Sequence, residues 1–233
     1  MKEFELIGRI RREAERFPLP PEVRLGIGDD CCAVQPLCTD ELVLSTDAMI
    51  EDVHFRLDYF SLRQVGARAA AAALSDLAAM AASPLGMLAS VALPKGDDEK
   101  VRELTGGLLD VASRFGCPLI GGDLTASTGP LMISLTVIGK APSGEAVLRS
   151  GALPGHEIWV TGTPGEAAAV LEFLELERQG KAGGLPRPDE AALERFFTPL
   201  PRIPEARFLF ENGPPAALID ISDGLAGDLG HIL

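Results

Sequence analysis

The chain is poor in several things at once. Aromatic side chains make up 5% of its 233 residues, with one Trp and one Tyr, which leaves little for an extended base-stacking platform. Its four cysteines, Cys31, Cys32, Cys38 and Cys117, include an adjacent pair and form no CxxC spacing. Neither a zinc site nor a disulfide framework is indicated, and reduced thiols in the cytoplasm are the expectation. Positive charge is also short: 21 Lys and Arg stand against 34 Asp and Glu, a formal charge of −13. That balance opposes nucleic-acid binding, which depends on basic side chains displacing counterions from phosphate. No apolar run approaches the roughly 20 residues of a membrane span. The opening "MKEFELIGRIRREAERF" reads as a charged amphipathic helix without the apolar centre of a signal peptide. Familiar nucleotide and hydrolase signatures are absent as well: no GxxxxGK[ST], HExxH, GxSxG or HRD occurs, and "GIGDDC" lacks the third glycine of the dinucleotide fingerprint.

What is present is an ordinary globular composition, 46% hydrophobic and 24% charged, with strand-like and helix-like stretches in alternation. "ELVLSTD" reads as a strand running into a loop and "SLRQVGARAAAAALSDLAAMAA" as an alanine-rich helix. "GMLASVALP" reads as a strand, "DDEKVRELTGGLLDVASRF" as a helix opened by acids, and "CPLIGGD" as a short strand ending in glycines. In "MISLTVIGK", Ser134 and Thr136 alternate with Ile133, Leu135 and Val137, the period of a sheet covered on one face. The turn-rich "APSGEAVLRSGALPGHE" then marks a boundary, giving domains 1–145 and 146–233. Beyond it "IWVTG" and "AALIDIS" read as strands and "SDGLAGDL" as a helix start.

Acidic or glycine-acidic clusters recur where strands are expected to give way to loops: "GIGDD" with Asp29 and Asp30, "STD" with Ser45, Thr46 and Asp47, "GGD" with Gly122 and Asp123, and "DISDG" with Asp220, Ser222 and Asp223. A fifth acid, Asp76, interrupts the alanine-rich helix, where aspartate is a mediocre former. Each has a plain alternative: a turn for "GDD", an Asx-turn for "STD", a pairing with Arg68 for Asp76, a helix cap for "SDG". Taken jointly, carboxylates converging in a cleft would repel one another unless a divalent cation lay between them. Hard oxygen donors suit magnesium, which bridges to substrate phosphates.

In this order "GIGDD", "STDAMIEDVHF", "LSDLAAM", "GGDLT" and "DISDGLAGDL" resemble the thiamine-monophosphate kinases of the PurM-like ATP-binding superfamily. "STD" followed by "E..HF" is the most specific part. The resemblance implies an α/β (α+β) fold, with a mixed-sheet N-terminal domain that dimerises through its sheet and an incomplete second α/β domain. It also implies transfer of phosphate from ATP to thiamine monophosphate. Carried over residue by residue, Asp30, Asp47, Asp76 and Asp123 are magnesium ligands, with Asp29, Ser45 and Thr46 beside them and Asp220 and Asp223 joining from the second domain. Asp47, Asp123, Arg149 and Asp223 are the catalytic candidates. Gly122, Asp123, Arg149 and Ser222 line the ATP phosphates, and His54 and Phe55 face the thiamine phosphate.

The pattern departs from that family at Ala73, Ala81, Thr105 and His156. The family also continues beyond "LGHIL", so the second domain is expected to be a first part only. Two alternatives remain open on these residues. One is a related superfamily enzyme such as selenophosphate synthetase or aminoimidazole ribonucleotide synthetase. The other is a shortened, non-catalytic nucleotide-binding module.

Overall fold

The computed structural model describes residues 3–27, 33–94 and 98–233. In chain order they form α1 (Glu3–Ala14), β1 (Val23–Leu25), β2 (Ala33–Val34), β3 (Asp40–Ile50), α2 (Leu62–Ala79), β4 (Ser83–Pro94), α3 (Asp98–Arg114), β5 (Leu119–Ser127), β6 (Met132–Pro142), α4 (Glu166–Arg178), α5 (Glu190–Phe197), α6 (Ile203–Asn212) and α7 (Leu225–Gly230). No helix among them is long and apolar enough to cross a membrane.

The central sheet has the order β3-β6-β4-β5. Strand β6 runs antiparallel to β3 and β4, and β4 runs parallel to β5. A parallel pair needs a crossover, and α3 provides it. Alternation decides which face is covered. Val43 and Met49 of β3, Met87, Ala89 and Val91 of β4, and Ile133, Leu135 and Val137 of β6 are all buried. Over them lies α2, started by Ser61, whose hydroxyl caps Gln64 while the Gln64 side chain returns to the Ser61 N–H. Its alanines let the helix approach the sheet closely. Leu74 and Leu77, both fully buried, each contribute roughly 1.5–3 kcal/mol by leaving water.

The opposite face is open over much of its area. Leu42, Leu44 and Met132 are 42%, 59% and 38% exposed there, beside Thr46, Ser134 and Thr136. The β1/β2 pair covers one end, where Val23, Leu85, Ile120 and Ile138 form a small second cluster.

Two expectations about strand ends are corrected. "STD" and "GGD" do not end strands: β3 continues to Ile50 and β5 to Ser127. Backbone pairing to β6 and β4 outweighs the poor strand propensity of Asp and Gly. The strands expected at "IWVTG" and "AALIDIS" form no ladder among the described residues. A strand exists only through its neighbour, and the tie found there is a single bond from the Leu218 N–H to the Leu148 carbonyl, 3.1 Å. Ile158 and Trp159 are accordingly 61% and 84% exposed.

The helices after β6 pack on α2 through aromatic and cationic groups. Phe60, Phe196 and Phe197 stack mutually, with Phe60 and Phe197 edge to face at 4.9 Å. Arg68 lies over the Phe196 ring at 5.0 Å and donates to the Phe196 carbonyl. Arg68 is therefore committed to α5 and does not pair with Asp76.

Candidate functional site

Strand alternation sends Ser45 and Asp47 to the same side of β3 as Val43 and Met49, toward α2. About four turns into α2, Asp76 meets them. The Ser45 hydroxyl donates to Asp76 Oδ2 at 2.5 Å. Asp47 Oδ1 accepts the Ala48 N–H at 2.8 Å, which fixes its rotamer. Two later loops complete the arrangement, since the Asp220 and Arg149 charges both act on Asp76. Burial first, then the negative charges of Asp220 and Asp47, push the Asp76 carboxyl above its ordinary pKa; the Ser45 bond and Arg149 pull the other way. Ser45, Asp47, Asp76, Arg149 and Asp220 thus come together.

This is an acidic site with one arginine at its rim and a charge on Asp76 that the protein compensates incompletely. A cation would relieve it. The donors are all oxygens, the chemistry that magnesium prefers. No group of three His, Cys, Asp or Glu side chains among the described residues is gathered tightly enough to hold an ion by itself. Magnesium would fit such a donor set only if substrate oxygens and water supplied further ligands.

Other expected members stand elsewhere. Asp29 and Asp30 lie outside the described residues. Thr46 points to the open sheet face, where its hydroxyl donates to the Leu135 carbonyl at 3.2 Å and accepts from Thr136 at 3.1 Å. Asp123 is exposed on the same open face, in a row with Ser90, Ser134 and Ala48. It sits on the far edge strand, three strand spacings or about 14 Å from β3, so one chain does not bring it to Asp47. Gly122 has a packing reason of its own: a Cβ there would lie 2.0 Å from the Ala89 carbonyl oxygen. Ser222 and Asp223 are exposed in the loop before α7.

The segment after β3 folds back as a tight turn. Asp52 adopts a left-handed φ of 64°, and His54 Nδ1 accepts the Ile50 N–H at 3.1 Å. His54 stays exposed at the surface. Phe55, expected beside it on the substrate, is 2% exposed and packs in the core, because the turn reverses the side chain inward where its area is worth most. Next to it a network the sequence did not announce reaches α4: Glu175 receives the Tyr59 hydroxyl at 3.1 Å and Arg56 Nε at 3.1 Å. Asp228 was missed as well. It is 4% exposed, and its Oδ2 accepts the backbone N–H groups of Ser222, Asp223 and Gly224 at 3.0, 3.2 and 3.1 Å. The available signal was an acid four residues after "SDG", on the same side of the following turn.

Residues 28–141 match the family model for the AIR synthase related protein, N-terminal domain. Thiamine-monophosphate kinase of Escherichia coli is 38% identical over 231 residues, covering 99% of this chain and 68% of the relative. The crystal structure of thiamine-monophosphate kinase from Stenotrophomonas maltophilia superposes with a TM-score of 0.83 at 36% identity, covering 100% of this chain and 71% of that one. AaThiL complexed with AMPPCP and TMP superposes with a TM-score of 0.73 at 30% identity, covering 99% of this chain and 69% of the other. On sequence, on fold and on the domain that carries Ser45, Asp47 and Asp76, the chain belongs to the thiamine-monophosphate kinase family.

Proposed function

We propose that this chain transfers the terminal phosphoryl group of ATP to thiamine monophosphate, giving thiamine diphosphate and ADP. The observation that carries the reading is the convergence of Ser45, Asp47, Asp76, Asp220 and Arg149 in a chain of this family. The acceptor is a phosphate monoester whose second pKa is near about 6, so it is anionic at neutral pH and needs no strong base. What the site must do is hold two polyanions in line. Magnesium, when bound, supplies charge neutralisation between them. Asp47, Asp76, Asp220 and the Ser45 hydroxyl would hold it, with Asp29, Asp30 and Asp223 as further candidates; Thr46 and Asp123, on the open face, are not placed to share that ion within one chain. Arg149 is the group free to balance charge on the transferred phosphoryl, and the Asp76 charge keeps it near. Gly122, Asp123 and Ser222 are assigned to the nucleotide phosphates and His54 to thiamine monophosphate.

The same reading divides the chain into a nucleotide and metal domain, 1–145, and the first part of a second domain, 146–233, in the cytoplasm. It also pairs two copies through the open sheet face. Leu42, Leu44 and Met132 are apolar and exposed there, and edge strands beside such a face call for a cover. Leu44→Glu, which would bury a charge between the copies, is expected to turn a dimer into a monomer in sedimentation velocity. A wild-type monomer at micromolar concentration would remove this part.

The test of the reaction is incubation with Mg-ATP and thiamine monophosphate, with thiamine diphosphate followed by chromatography beside Asp47→Asn. Product that vanishes in the variant supports the assignment. Magnesium-dependent ATP binding without product would replace it with a binding module.

A further inference from the structure

We infer that Asp228 is the positioning residue of the acidic site. It lies buried beneath the loop that carries Asp220, Ser222 and Asp223 and acts through that loop. This inference rests on the kinase reading above and names a residue that reading does not use.

The loop 220–224 has few other supports: Ile221 to Gly224 are exposed, and the following helix α7 has six residues, too few to be stable by itself. Gly224 sits at φ 107°, outside the range a side-chain-bearing residue adopts readily. Yet three successive N–H groups of this loop point at one oxygen, Asp228 Oδ2, and the carboxylate is 4% exposed. Bonds from N–H groups to an ionised carboxylate are roughly twice as strong as neutral ones. An aspartate is buried here only because these donors take the place of water. The loop's shape is therefore set from beneath by Asp228, and the placement of Asp220 opposite Asp76 follows from that shape.

A helix cap would explain the bonds but would predict an effect on folding alone. A positioning role predicts more, because Asp220 must be delivered to the site at fixed height above α2. Without the Oδ2 acceptor, the loop amides turn to water and Asp220 samples other positions. The magnesium requirement should rise, since residues that orient metal-holding groups change metal affinity by about 10–100-fold. The thiamine monophosphate side, held by the turn after β3, should not change.

Two variants separate the readings. Asp228→Ala removes the acceptor, while Asp228→Asn keeps a carbonyl oxygen in its place without the charge. Binding of AMPPCP at increasing magnesium is measured by calorimetry for wild type and both variants, with amide hydrogen exchange at residues 222–224 and thermal unfolding recorded alongside. The expected result is a magnesium half-saturation at least about tenfold higher for Asp228→Ala, with recovery toward wild type in Asp228→Asn. Loss of amide protection should accompany the shift, and the KM for thiamine monophosphate should stay unchanged. If Asp228→Ala remains folded, loses that protection and binds with unaltered magnesium dependence, Asp228 is a cap and the inference is wrong. Equal impairment in both variants would also overturn it. A wild-type chain that binds no magnesium nucleotide would defeat the kinase reading first, and the positioning role with it, before any variant is compared.

Discussion

Asp76→Asn is expected to lower kcat/KM by about 10²–10³-fold, equivalent to ~2.7–4 kcal/mol of transition-state stabilisation, while leaving the metal-free chain at least as stable as wild type. The two halves of that result have one cause. In the folded chain the Asp76 carboxyl is raised above its ordinary value of 3.8, by burial first and by Asp220 and Asp47 next. The folded state thus takes up this proton at a higher pH than the unfolded state does. Stability from the group is fully present below 3.8 and is lost as pH rises through the raised folded value. Once ionised, Asp76 is a burden to the metal-free fold, and an amide of the same shape removes it while still accepting the Ser45 hydroxyl. Magnesium reverses the sign. An ion at 100 times its dissociation constant adds about 2.7 kcal/mol to the wild type, and the variant forgoes most of that. Thermal unfolding in EDTA and then in millimolar magnesium should show the two curves exchanging order. A variant less stable than wild type in EDTA, or equal stabilisation of both by magnesium, would contradict the assignment.

The acids of this site were legible in the sequence, and their arrangement was not. Composition excluded basic-surface chemistry, and the run from "STD" to "SDG" pointed to a metal and phosphate site. Asp47 was nevertheless expected at a strand end, whereas it lies within β3. Side-chain propensity describes a residue's average surroundings, and long pairing to β6 overrode it. Which acids share a face depends on sheet order. Asp47 and Asp123 are both followed by small or apolar residues, yet they fall on opposite faces of opposite edge strands. No local pattern records that. Asp228 stood in the sequence as an acid four residues after "SDG", but its role did not, because that role lies in three backbone N–H groups, which every sequence possesses and none displays. In the second half, apolar runs gave strand signals at "IWVTG" and "AALIDIS", and without a neighbouring strand the ladder does not form.

Gly107→Ala is expected to be the most destabilising of the small substitutions, against what helix propensity alone would say. Both Gly107 and Gly66 lie inside helices, α3 and α2, where alanine is favoured over glycine by about 1 kcal/mol. Their position decides otherwise. A Cβ at Gly107 would stand 1.8 Å from the Arg63 carbonyl oxygen, and one at Gly66 would stand 1.9 Å from the Leu104 carbonyl oxygen. Both obstacles are backbone, so no rotamer change relieves them. The helices must move apart, and α2 also carries Asp76 and covers the sheet. Overpacking of this kind costs about 3 kcal/mol, which exceeds the propensity gain and leaves a net loss of about 2 kcal/mol. For a chain of this size that lowers Tm by about 4–8 °C. The neighbouring Gly106 provides the control. A Cβ there meets the end of the Arg63 side chain, which can swing aside, so Gly106→Ala should keep the propensity gain and match or exceed wild type. If Gly106→Ala and Gly107→Ala unfold at the same temperature, close backbone contact between α2 and α3 is not what these glycines secure. If they diverge as expected, the spacing of the two helices is fixed by main chain against main chain, and the height of Asp76 above β3 is fixed with it.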